Sequence, residues 1–141
     1  AKEVSMVLDD LKKYASSADF KNYFDLYDEE STFVGTDAKE VWNKKEFMDY
    51  SKPHFDKGKA WSFTSLKRNI TFSADGKYAW FDELLNTQMK LCRGSGVKKK
   101  IGSKWKIRQY VLSMTIPNEV SKEVIKIKSP MEDMIISELK K

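Results

Sequence analysis

Residues 104–117, KWKIRQYVLSMTIP, decide how this chain is arranged, because they predict a long strand that the other elements can cover. Side chains alternate between the two faces of a strand. One face therefore carries the odd-numbered residues Trp105, Ile107, Gln109, Val111 and Ser113. This face begins apolar and ends in amide and hydroxyl groups, which is typical of a hydrogen-bonded core or of a pocket wall. We expect the rest of the chain to close over it.

The opposite face of this strand is basic at one end and apolar at the other, where Tyr110, Leu112 and Met114 follow at alternate positions. Such a face suits solvent at its basic end and a protein partner at its apolar end. It predicts a homodimer that forms through the outer face of the sheet.

The composition of the 141 residues fits one folded domain. Hydrophobic residues make up 40% of the chain and aromatic residues 13%, which excludes a disordered protein. No apolar run approaches the ~20 residues of a membrane helix, so we expect no membrane partner. The net charge is +5, but the basic residues lack interleaved exposed aromatic residues, so we expect no nucleic-acid partner. The one tight basic cluster, residues 98–100, is typical of a solvated strand edge and less often of a phosphate site.

The cysteine and histidine content limits the chemistry. Cys92 is the single cysteine, so no internal disulfide can form, and we expect it to face away from the pocket. With His54 as the single histidine, no ordinary zinc cluster can be assembled, and we expect neither a metal nor a cofactor. Because Ala1 is not a start methionine, we expect a removed signal peptide and a periplasmic or secreted location rather than a cytoplasmic one.

Helical periodicity dominates the first part of the chain. Residues 4–15 predict an amphipathic helix of about four turns, and residues 20–27 repeat the pattern in a shorter second helix. A third helix is predicted from residue 44, because Asn43 and Glu46 form a capping box. Trp42 and Phe47 complete this signal as a hydrophobic staple. These helices are expected to cover one face of a sheet.

Strand periodicity dominates the second part of the chain. A short first strand is predicted at residues 32–35, and long strands at 61–72, 77–89, 91–101 and from 104 onward. The order predicts an α+β fold, with a strongly curved antiparallel sheet covered by N-terminal helices. After Pro117 two further helices are predicted, one capped by Asn118 and one starting at Ser129. We place the domain at residues 1–127 and a C-terminal helical extension at 128–141.

This order of elements, together with five short motifs, resembles the NTF2-like superfamily and more closely its SnoaL-like branch of small bacterial proteins. The motifs are Phe33-Val-Gly-Thr-Asp37 with Trp42, Lys52-Pro-His-Phe-Asp-Lys-Gly58 with Trp61, Ala79-Trp-Phe-Asp-Glu83, Arg93-Gly-Ser-Gly-Val97, and Gly102-Ser-Lys-Trp-Lys-Ile107 running to Ile116-Pro-Asn118. The resemblance covers roughly residues 3–127. It implies a cone-shaped sheet around a cavity that the helices close.

The resemblance also implies which residues face the cavity. They are Trp42, Phe81, Glu83, Arg93, Ser95, Gln109 and Ser113. Two positions on the third helix, Tyr50 and His54, share its apolar face, and Asp37 follows the first strand at the expected pocket mouth. Arg93 is the expected polar anchor of a ligand. Asp82 replaces Glu83 as the inward carboxylate if the strand is shifted by one residue.

The sequence is compatible with three functions. The first is a binding module for a small, largely apolar ligand. The second is a SnoaL-like isomerase, dehydratase or cyclase that uses Glu83 or Asp82 as general base. Relatives often have His or Asn where this chain has Val111, which counts against a proton-transfer pair on the last strand. The third is a non-catalytic dimeric interaction module.

Overall fold

The structure, a computed structural model, describes residues 1–58 and 60–141. The helices are α1 (Lys2–Ser16), α2 (Phe20–Asp25), α3 (Lys44–Asp56) and α4 (Ser121–Leu139), with a short 3-10 turn at Asn118–Val120. The strands are β1 (Tyr27–Val34), β2 (Val41–Asn43), β3 (Thr64–Phe72), β4 (Tyr78–Thr87), β5 (Lys90–Ile101) and β6 (Lys104–Met114). They form one curved, open sheet in the order β2-β1-β6-β5-β4-β3, in which only β1 and β6 are parallel. The predicted α+β fold is confirmed.

The helices form where the sequence predicts them. Val4, Leu8, Leu11 and Ala15 are the buried face of α1, and burial of one leucine side chain contributes about 1.5–3 kcal/mol. At the start of α3 both hydrogen bonds of the capping box are present. The staple is also present, since the Trp42 and Phe47 rings stack with centroids 5.7 Å apart.

Several predicted boundaries were wrong. The first strand begins at Tyr27, five residues before the predicted start, because the second helix ends at Asp25. The short strand β2 was not predicted, and it pairs with the end of β1. β3 begins at Thr64 instead of residue 61.

A bulge in β6 changes which side chains face the helices. Val97 pairs with Gln109, but the next residue of β5 pairs with Ile107, so Arg108 is an extra residue in β6. An extra residue exchanges the two faces of the strand beyond it. Trp105 and Ile107, which precede the bulge, are buried as predicted.

Beyond the bulge the predicted orientations were wrong. Gln109 and Ser113 are exposed on the outer face, whereas Tyr110 and Leu112 are buried beneath the helices. The outer surface predicted to form a homodimer therefore keeps none of its three apolar residues, because Met114, although 47% exposed, lies on the same side of β6 as Tyr110 and Leu112 and pairs with the buried Cys92. The homodimer itself stays a prediction.

The orientation of β5 is set before the bulge, where its even-numbered residues Lys98 and Lys100 pair with the buried Ile107 and Trp105. Beyond the bulge, even-numbered residues of β5 pair with the buried even-numbered residues of β6, as Gly94 does with Leu112. Cys92 is therefore buried and Arg93 is exposed, so both of their predicted orientations were wrong. Ser95 shares the outer face with Arg93 and is half-buried there.

The C-terminal segment is one helix, not two. α4 continues through residue 130, and Ser129 does not cap a new helix, because its hydroxyl donates to the carbonyl of Ile125. None of the residues of α4, all of which are described, is buried, and Ile127 is 77% exposed. The predicted domain boundary between residues 127 and 128 falls inside this helix and stays a prediction.

Within the described residues, no helix is both long enough and apolar enough to span a membrane.

Candidate ligand-binding cavity

A cavity of about 400 Å³ lies between the helices and the concave face of the sheet. Four of the rings that line it are nearly parallel. The Phe33 ring stacks on Phe47 at 4.0 Å and 12°, and on Tyr110 at 5.6 Å and 2°. Trp42 stacks on Phe47 at an angle of 11°. These rings pack on one another and form one aromatic wall, which suits a flat ligand because offset stacking is the favourable arrangement of aromatic pairs.

The exposure of the lining residues distinguishes a floor from a mouth. Tyr23 and Tyr110 are 1% and 4% exposed and lie deep in the cavity. Tyr50, which stacks on Trp42 at 4.4 Å, is 46% exposed and lies at the mouth. Glu40 lines the same cavity, and its carboxylate accepts from the backbone N–H of Asp37 at 2.9 Å.

Lys12 brings a positive charge to the wall of this largely apolar cavity. Its Nζ donates to Glu83 Oε2 at 2.8 Å, and Glu83 is fully buried. The other carboxylate oxygen, Oε1, accepts from Arg68 at 2.9 Å and 3.1 Å. One buried carboxylate thus holds two cationic side chains from different elements, α1 and β3.

Arg68 fastens this cluster to the first helix. Its Nη1 donates to the Ser5 hydroxyl at 2.7 Å and to the Ser5 carbonyl at 3.1 Å, and it lies 3.0 Å from the carboxylate of Asp9. Burial lowers the pKa of Lys12 and outweighs the opposing attraction of Glu83. Besides its bond to Glu83, Lys12 Nζ has one long contact of 3.4 Å to the Leu8 carbonyl.

A second lysine, Lys98, is fully buried near this cluster. Its Nζ has no hydrogen-bond partner among the described residues and lies 5.7 Å from the centre of the Phe81 ring. Burial holds the pKa of Lys98 well below its usual range, and the nearby charge of Lys12 lowers it further. Both effects favour the neutral amine.

The buried tyrosines supply neutral polar groups. The hydroxyls of Tyr23 and Tyr27 are 3.0 Å apart and hydrogen-bonded. Burial raises the pKa of Tyr23, Tyr27 and Tyr110 above the ordinary value, so these phenols stay protonated. The Tyr110 ring reaches over Gly94, where an added Cβ would lie 2.3 Å from the hydroxyl oxygen.

The predicted site residues divide into three groups. Trp42, Tyr50 and His54 line the cavity. Phe81 and Glu83 are buried behind its wall, where Phe81 packs on Tyr110 at 5.8 Å. The expected polar anchor, Arg93, and the predicted Gln109 and Ser113 lie on the outer face.

The remaining candidates also lie outside the cavity. Asp82 is exposed on the outer face and accepts from the Asn69 side chain at 3.1 Å, so it is not the inward carboxylate. Asp37 is exposed and accepts from the backbone N–H of Lys39 at 2.9 Å, which makes it a loop residue. Together with Ser113 it lines a second, more open cleft beside α4.

Sequence reasoning missed Lys12, Arg68, Lys98 and Tyr110. A signal for Lys12 was present, because it follows Leu8 by four residues and Val4 by eight and so lies on their helix face. The side chain of Lys98 lies on the face of β5 that also carries Cys92, but the neighbouring lysines at 99 and 100 concealed it. Nothing in the sequence pairs Arg68 with Glu83 before the register of β3 and β4 is known.

Among residues 1–58 and 60–141, no three His, Cys, Asp or Glu side chains are grouped so that they could hold a metal ion.

The chain belongs to the family of SnoaL-like domains, whose sequence profile matches residues 4–117. Its fold is similar to that of an NTF2-like protein of unknown function from Pseudomonas putida, with a TM-score of 0.69 and 10% identity over 84% of this chain and 89% of that one. A protein of unknown function with a cystatin-like fold from Nostoc punctiforme gives a TM-score of 0.63 and 13% identity over 80% of this chain and 89% of that one.

A provisionally assigned dehydratase of the NTF2-like family from Streptomyces avermitilis gives a TM-score of 0.70 and 13% identity, over 82% of this chain and 96% of that one. Identities this low show the shared fold and not a shared reaction. No curated protein is similar enough to this chain to count as a match.

Proposed function

We propose that this protein binds a small, flat and largely apolar ligand in the cavity between the helices and the sheet. The observation that carries the proposal is the set of nearly parallel rings, Phe33, Phe47, Trp42 and Tyr110, which pack on one another and line a space of about 400 Å³. Ligand pockets in proteins are typically ~300–1,000 Å³ and mainly hydrophobic and aromatic, with a few polar groups. Lys12 replaces Arg93 as the proposed polar group that orients the ligand.

The geometry of Glu83 argues against general-base catalysis. Both of its oxygens accept hydrogen bonds from cationic side chains, Lys12 and Arg68, and the side chain is fully buried behind the cavity wall. A general base must reach the proton that it removes, directly or through one water. Glu83 therefore serves to position Lys12, and we favour binding over the isomerase or dehydratase alternative.

Thermal denaturation in the presence of a panel of flat apolar compounds tests the proposal. A ligand present at 100 times its Kd stabilises the folded state by about 2.7 kcal/mol, which raises the melting temperature by several degrees. Trp42→Ala should abolish this shift, because Trp42 forms part of the stacked wall. Trp80→Ala is the matched control, since Trp80 is 48% exposed on the outer face. Equal loss of the shift in both variants would contradict binding in the cavity.

A further inference from the structure

Basic side chains outnumber carboxylates in the buried cluster that joins Lys12 to Glu83. Lys12, Arg68 and Lys98 lie close to Glu83, which is the one fully buried carboxylate among the described residues. Asp9 also approaches Arg68, but its side chain is 65% exposed and solvent screens its charge. This cluster therefore has more buried donor groups than acceptors.

Lys12 presents this excess to the cavity. An ammonium group has three protons to donate, and Glu83 accepts one of them at 2.8 Å. The contact to the Leu8 carbonyl, at 3.4 Å, is too long to be a strong bond. Because Lys12 also lines the cavity, its remaining donor capacity is available to a ligand that occupies this space.

Lys98 strengthens the same conclusion. Its amine is fully buried and has no partner among the described residues, although nearly all buried polar groups in proteins are hydrogen-bonded. An anion placed against Lys12 would attract the charge of Lys12 and favour the protonated form of Lys98, which offsets the cost of burying both amines.

We infer that the ligand carries a carboxylate on its flat apolar body, and that this carboxylate accepts a hydrogen bond from Lys12 at the floor of the cavity. The inference rests on the proposed binding function and specifies the chemical class of the ligand, an aromatic or other flat cyclic acid. Glu40 lines the cavity and repels an acid group placed beside it, so the acid binds with its carboxylate inward.

Two probes of nearly the same shape test the inference, 2-naphthoate and its neutral counterpart 2-naphthylmethanol. Their Kd values for the full chain are measured by isothermal titration calorimetry at pH 7. We expect 2-naphthoate to bind at least about tenfold more tightly, because hydrogen bonds to charged groups are the stronger class. Lys12→Met should remove this preference and leave the alcohol bound as before, whereas Lys13→Met, an exposed neighbour, should leave both Kd values unchanged.

The outcomes separate the inference from the function on which it rests. If the alcohol binds as tightly as the acid, or if the acid preference survives Lys12→Met, the inference is wrong while the binding function stands. If neither probe binds, both are overturned. Should Lys12→Met fail to fold, the ratio of the two Kd values in the unmodified protein decides alone.

Discussion

Lys12 Nζ and Glu83 Oε2 lie 2.8 Å apart, which joins the first helix to strand β4 across 71 residues of sequence. The fully buried carboxylate determines where the ammonium group lies, and Lys12 is one of the residues that line the cavity. The ion pair with Glu83 thus positions Lys12, which is the one lysine or arginine among the described residues that line the cavity. The proposed ligand would contact this group.

Glu83→Gln should destabilise the protein strongly. The substitution leaves the cations Lys12 and Arg68 beside a neutral amide, and breaking a buried ion pair on one side costs about 3–5 kcal/mol. Urea denaturation measures the change in the free energy of unfolding. The control is Asp82→Asn, an exposed carboxylate next in sequence, which should change that free energy by no more than ~0.5 kcal/mol. Similar losses in both variants would contradict the buried cluster.

Lys98→Met should stabilise the protein, because it replaces a buried amine that lacks a partner with an apolar side chain of similar length. We expect a gain of about 1–3 kcal/mol in the free energy of unfolding near pH 6. Lys99→Met, the half-buried neighbour on the opposite face, is the control and should give little gain. A loss of stability in Lys98→Met would show that the amine has a favourable partner.

The same variant should change how stability depends on pH. The pKa of Lys98 is depressed in the folded state, whereas an unfolded lysine has a pKa of about 10.4. Between these two values the unfolded chain binds a proton that the folded chain does not, so stability contributed by this group rises with pH. The advantage of Lys98→Met should therefore shrink from pH 6 to pH 9. An advantage that grows with pH would contradict the depressed pKa.

Gly94→Ala should disturb the cavity wall, because the added Cβ would lie 2.3 Å from the hydroxyl oxygen of Tyr110 and 2.9 Å from the ring carbon that carries it. Overpacking of this kind costs about 1–3 kcal/mol. Tyr110→Phe removes the nearer atom, so the double variant should lose less stability than the sum of the two single variants. Urea denaturation of all four proteins gives this coupling free energy, and strict additivity would place the Tyr110 side chain elsewhere.

Binding of an acid should be coupled to proton uptake. A carboxylate beside Lys12 favours the protonated forms of Lys12 and Lys98, whose pKa values burial depresses. Calorimetry of 2-naphthoate in two buffers with different ionisation enthalpies gives the number of protons taken up. The number should be positive at pH 8 and smaller in Lys98→Met. Release of protons would contradict the predicted coupling.

The fold could be predicted from the sequence because its signals are local. The apolar period of α1, the capping box at Asn43 and the turn at residues 73–76 each determine a boundary within a few residues. The C-terminal helix was harder to predict, since Ser129 and Pro130 have the sequence pattern of a helix start but lie inside α4.

The site could not be predicted in the same way, because it depends on one extra residue in β6. Arg108 exchanges the faces beyond it, so every inward position assigned from Gln109 onward was reversed. The sequence contains one weak signal of the bulge, the glycine at position 96. Gly96 lies so close to the Gln109 carbonyl that a Cβ would be 1.9 Å from its oxygen, and only glycine fits there.

The proposed binding mode is tested most directly by a crystal structure of the complex with 2-naphthoate. We predict that the ring system lies in the cavity against the aromatic wall that Phe33, Phe47, Trp42 and Tyr110 form, with a carboxylate oxygen about 3 Å from Lys12 Nζ. Density for the ligand on the outer face of the sheet near Arg93, or in the cavity with its carboxylate beside Glu40, would contradict it.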